Sequence, residues 1–179
     1  MSTNVPADSR ASATVADHAI TNNPMDNPFM ARAIQLSIEN VHSGRGGPFG
    51  AVVVKDGNVI AEGANQVTST KDPTAHAEIL SIRAACAKLG VFELHGCEIY
   101  TSCEPCPMCL GAIYWARLSR IYFACVATDA SRIGFDDSLI YREIAQPLTH
   151  RTIPMVQMMR EESLAAFRAW EEKPNKIVY

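Results

Sequence analysis

Apolar residues recur at Phe29, Ala33, Leu36, Ile38 and Val41, a spacing that approximates one helical face, and the run Ser43-Gly44-Arg45-Gly46-Gly47-Pro48 ends it. Phe49-Gly50-Ala51-Val52-Val53-Val54 then reads as a buried strand. Asp56-Gly57 is a two-residue hairpin signal, and Val59-Ile60-Ala61 continues as the partner strand. Ala75 to Leu89 is helical in pattern and stops at Gly90. Glu98 to Thr101 reads as a short strand and Cys106 to Arg117 as a helix, its prolines confined to the entry where a missing N–H costs little. Ile121 to Val126 is a further strand and Asp137 to Ala145 a further helix. Ile153 to Met159 reads as a last strand, placed towards an edge by Pro154. A final helix from Glu161 to Glu172 is expected to bury Leu164, Phe167 and Trp170.

After the opening hairpin, helices alternate with strands. This order predicts an α/β domain over residues 26–179, with a mixed five-stranded sheet whose later strands are parallel and whose faces carry helices. Residues 1–25, rich in Ala, Ser, Thr and Asn and without a period, read as a flexible tail. A chain of 179 residues that is 47% hydrophobic supports one domain with a sizeable core, so neither a disulfide scaffold nor a disordered chain fits. No apolar run reaches the roughly 18 residues that a membrane helix requires, and residues 1–25 lack a secretory pattern; a cytoplasmic location is the expectation.

Charge narrows the partners. Sixteen Lys and Arg against nineteen Asp and Glu give a net charge of −3, and no cluster of five basic residues occurs. A nucleic-acid partner normally demands a basic face, so a small molecule is favoured.

Three of the six cysteines, Cys103, Cys106 and Cys109, fall within seven residues. In a chain without secretory features, such crowding points to metal or redox chemistry. Zinc favours imidazole and thiolate, and a catalytic site keeps three protein ligands so that water takes the fourth place. His76, Cys106 and Cys109 supply that set. Cys106 and Cys109, three apart at a helix start, point the same way, and the partial positive charge there favours thiolates. Glu78, two residues beyond His76, is suited to shuttle protons. Two plainer readings stand beside this one: a structural zinc site with Cys103 as fourth ligand, or a Cys-x-x-Cys redox pair. Neither gives Glu78 a task.

His76-Ala77-Glu78 followed by Pro105-Cys106-Pro107-Met108-Cys109 resembles the signature of the zinc-dependent cytidine deaminase superfamily. Within it, residues from about Asn27 to Tyr179 are similar to the bacterial guanine deaminases. The resemblance is carried by the Gly46–Val52 and Asp72–Glu78 stretches, by Thr101–Ala116, and more selectively by Gly134-Phe135-Asp136-Asp137-Ser138 and Tyr141-Arg142-Glu143. It implies a three-layer α/β/α fold, one catalytic zinc ion, and hydrolysis of guanine to xanthine and ammonia. It also implies a homodimer in which residues 161–179 are exchanged and cap the partner's site. Relatives acting on cytosine, adenosine or transfer RNA share much of the same signature and form the alternative.

The resemblance assigns substrate binding to Asn65, whose other reading is a turn residue bonding local backbone. Phe49 and Trp115 suit stacking on the base, or ordinary packing. Asp137, an acceptor when ionised, suits the ring N–H and amine of guanine, whereas Asp136 suits the cap of the next helix. Glu143, six residues on, is a candidate second proton shuttle. The apolar ending, with Tyr179 last, is expected to cover the site and exclude water, or to dock on its own core.

Overall fold

The computed structural model describes residues 27–178; the tail expected over residues 1–25 and the terminal Tyr179 lie outside them. Helix α1 spans Pro28–Ser43, capped by the Asn27 side chain on Phe29 N and Met30 N and closed by left-handed Gly44. Strands β1 (Gly50–Lys55) and β2 (Asn58–Ala64) form the expected hairpin, with Asp56 and Gly57 both at positive φ. A one-turn helix α2 (Val67–Thr70) precedes α3 (Ala77–Leu89), which ends at left-handed Gly90. Strand β3 (Cys97–Cys103), helix α4 (Pro107–Trp115) and strand β4 (Arg120–Cys125) form a parallel crossover. Helices α5 (Ala127–Arg132), α6 (Ser138–Ala145) and α7 (Arg160–Glu172) complete the described chain, with a 3-10 turn at Leu148–His150.

The sheet order is β2-β1-β3-β4, antiparallel through β1 and parallel between β3 and β4. Alternation along β1 sorts its side chains into two cores. Ala51 and Val53 join Ile82, Ala85, Ile99 and Ile113 beneath α3 and α4. Val52 and Val54 join Ala33 and Tyr100 beneath α1. The result is three layers, helix on sheet on helix.

Three expectations are corrected. The sheet has four strands among the described residues, not five. The segment from Ile153 to Met159 pairs with no strand, Pro154 lacks an amide for a ladder, and Ile153, Val156 and Met158 stay exposed. Helix α1 buries Ala33, Ser37 and Asn40, whereas Ile38 and Val41 face outward. Its inner polar groups are hydrogen-bonded, Ser37 to Ile34 O and Asn40 to two carbonyls, so they take core positions without apolar side chains. Finally, Phe167 is 63% exposed and Trp170 41% exposed, because α7 makes no extensive contact with the sheet layers.

Candidate active site

His76 is the N-cap residue of α3 and Cys106 the N-cap residue of α4, so two helix N-termini converge at one end of the sheet. Cys109 lies within the first turn of α4 and is fully buried. Their side chains meet: His76 Nδ1 stands 3.6 Å from Cys106 Sγ and 3.5 Å from Cys109 Sγ. Ideal tetrahedral zinc, with bonds of ~2.3 Å to sulfur and ~2.05 Å to nitrogen, separates sulfur and nitrogen by about 3.6 Å. All three donor atoms lie within 4.8 Å of one another, so the residues fit a zinc ion held through Nδ1.

The electrostatics agree. A hydrogen bond from Cys109 brings the Cys106 thiol down to about 4, with His76 reinforcing it. The same bond, with burial, drives Cys109 the other way. Metal binding requires thiolates, so a cation held here would displace the remaining thiol protons.

Cys103 does not join them. Its Sγ points to Val126 O at 3.8 Å, and burial pushes its thiol up to about 11. The four-ligand structural site therefore lacks its fourth ligand among the described residues.

Glu78, in the first turn of α3, is 7% exposed and reaches the thiol of Cys109. Burial raises its pKa above the ordinary carboxylate value.

Asn65 follows the end of β2. Its Oδ1 accepts from Gly47 N at 3.3 Å and Val67 N at 3.2 Å, which fixes the carboxamide orientation. Its Nδ2 donates to no described residue and remains available. Glycine is required opposite it, since a Cβ at Gly46 would collide with the Asn65 carbonyl. Phe49 packs edge-on against Phe135, centroids 5.0 Å apart, at the margin of the α3 core.

Asp136 and Asp137 separate in role. Asp136 Oδ1 accepts from Ser138 N at 3.0 Å, while the Asp137 side chain makes no capping bond. Burial, and then the charge of Cys106, raises the Asp137 pKa. Tyr141 ties the same helix to the site through Pro105 O at 3.5 Å. Glu143 is half-buried, and both its oxygens are taken by Thr152, from the backbone N–H at 2.6 Å and the hydroxyl at 2.9 Å. Trp115 ends α4, 63% exposed, with the Arg117 guanidinium 5.8 Å from its ring centroid.

Three supporting residues escape a motif-based reading. Ser102 Oγ accepts the amide of Gly50, Glu104 accepts that of Ala127, and Asn40 bridges Gly47 and Asn65. Only Asn40 left a signal, a polar residue at a core-facing helical position.

The family model for the cytidine and deoxycytidylate deaminase zinc-binding region matches residues 24–125, which include all three ligands and Glu78. The chain belongs to this zinc-dependent deaminase family. Within the family, it is 56% identical over 151 residues to a guanine deaminase of Bacillus subtilis, covering 84% of this chain and 97% of the relative. The crystal structure of a Bacillus subtilis guanine deaminase superposes with a TM-score of 0.82 at 56% identity, over 84% of this chain and 96% of that one. A tRNA-specific adenosine deaminase of Agrobacterium fabrum is 50% identical over 118 residues, covering 66% of this chain and 75% of that relative. The match to the guanine deaminase thus covers more of this chain than the match to the tRNA-specific adenosine deaminase does.

Proposed function

We propose that this chain hydrolyses guanine to xanthine and ammonia. The observation that carries the reading is the joint arrangement of a zinc-fitting His76–Cys106–Cys109 triad, buried Glu78 and an uncapped Asp137 in a chain so similar to a guanine deaminase. His76, Cys106 and Cys109 would hold a zinc ion, which would supply Lewis-acid activation of the attacking water. Glu78 takes one proton from that water and passes it to the ring nitrogen beside the reacting carbon, then takes the proton of the hydroxyl added to the carbon and delivers it to the exocyclic amine, which leaves as ammonia as the carbonyl forms. Water adds to the carbon, and the bond to the exocyclic amine breaks.

Asp137 accepts the ring N–H and amine hydrogens of guanine, and Asn65 Nδ2 donates to an acceptor on the base edge. Phe49 stacks on the ring. Glu143 serves as a second proton carrier only if its Thr152 contacts open. The active assembly is a homodimer with exchanged residues 161–179, in which Trp115 and Tyr179 complete the site. The exposed apolar side chains of Phe167, Trp170, Ile153 and Val156 support that reading, since a second copy would bury them. Editing of transfer RNA is disfavoured by the net charge of −3.

The experiment is product analysis with guanine, with and without excess transfer RNA. One xanthine and one ammonia per guanine, insensitive to the RNA, support the reading; inosine formed in the RNA instead overturns it.

A further inference from the structure

We propose that Asn40, on α1, is a positioning residue for substrate binding by Asn65. Asn40 is 1% exposed, and its Nδ2 donates to Gly47 O at 2.9 Å and to Asn65 O at 2.8 Å. Gly47 N in turn donates to Asn65 Oδ1 at 3.3 Å. One carboxamide therefore clamps two segments that are 18 residues apart, and a cross-bond between them holds the second carboxamide.

The orientation of Asn40 is dictated by chemistry, because the flipped amide would set its oxygen against two carbonyl oxygens. Its Oδ1 is buried and has no hydrogen-bond partner among the described residues. An unpaired buried acceptor is destabilising, and an apolar side chain of equal size would avoid it. A local rule broken in this way is expected where a functional geometry depends on it. What the donor gains is the lock on Asn65: Oδ1 is committed to backbone amides, so the group offers only N–H to a ligand. A site built so favours a base edge with an acceptor there and leaves an amino-bearing edge unpaired.

This inference rests on the guanine reading for its substrate, so the test has one arm that does not. Amide hydrogen exchange is measured in zinc-loaded wild type, Asn40→Leu and Asn40→Ala, with Ser37→Ala as the control for a buried polar residue of the same face. Gly47 N–H is expected to exchange at least about tenfold faster in both Asn40 variants. Val67 N–H, whose bond to Asn65 is internal to one turn, and the amides of Val53 and Ile99 keep wild-type rates. Should Asn40→Leu fail to fold, Asn40→Ala, which leaves room for a bridging water, carries the comparison. In the second arm, kcat/KM for guanine falls about 10- to 100-fold in Asn40→Leu, mainly through KM, at unchanged zinc content. The same change adds little in an Asn65→Ala background. Unchanged Gly47 exchange, or effects that multiply fully in the double variant, overturns the proposal. A wild type inert towards guanine refutes the substrate reading, while the exchange arm still decides the role of Asn40.

Discussion

Asp136 and Asp137 are sequence neighbours with opposite allegiances: Asp136 accepts the first amide of α6, from Ser138, and Asp137 leaves that helix uncapped to sit within the field of Cys106. The division predicts a clean contrast. Asp136→Ala lowers the melting temperature slightly and leaves guanine turnover intact, while Asp137→Asn preserves folding and cuts kcat/KM for guanine by about 100-fold or more. Thermal melts and steady-state kinetics on the two variants check it. Equal kinetic losses would remove Asp137 as the binder.

Glu78→Gln keeps the volume and burial of the side chain but cannot carry a proton. Zinc content and fold are expected to remain, with kcat reduced by roughly 10²–10⁴-fold. Turnover near the wild-type rate would exclude Glu78 as the shuttle.

The cysteines separate by role as well. Cys106→Ala should abolish stoichiometric zinc, since it removes one of three donors that meet within 4.8 Å. Cys103→Ser should keep zinc, its Sγ being directed at Val126 O. Metal analysis of the purified variants distinguishes the two, and loss of zinc from Cys103→Ser would revive the four-ligand site.

Away from the site, Arg32 grips Glu62 through two bonds of 2.8 and 2.7 Å, joining α1 to β2. The hydrogen bond to Arg32 holds the Glu62 carboxyl below its ordinary value. A carboxyl whose pKa is depressed on folding adds stability above its unfolded pKa and loses it as pH falls through the folded one. Both groups are more than a third exposed, so the pair contributes only about 0.5 kcal/mol. Glu62→Gln should therefore melt slightly lower than wild type at neutral pH, with the gap closing below about pH 4. A gap that persists in acid would show that the salt bridge is not its source.

The His76, Cys106 and Cys109 cluster was legible because metal binding demands particular residue types at particular spacings, and the three side chains indeed meet. The hairpin at Asp56-Gly57 and the helix stop at Gly90 were legible for a similar local reason, a required positive φ. The failures are long-range. An apolar stripe on α7 shows which face seeks cover but not what covers it, and the described residues leave Phe167 and Trp170 exposed. Ile153 to Met159 has strand-like composition, yet a strand exists only with a partner edge, and Pro154 weakens its claim to one. Asn40 carries no motif signal, because its role lies in two carbonyls brought together only by the fold.

The most direct measurement is ammonia release by zinc-loaded protein from guanine, cytosine and adenine, with Glu78→Gln as the blank. Rapid release from guanine, little from the other two and none above background from the variant is the predicted result. Release from cytosine or adenine with silence on guanine, in protein holding one zinc per chain, would contradict the account.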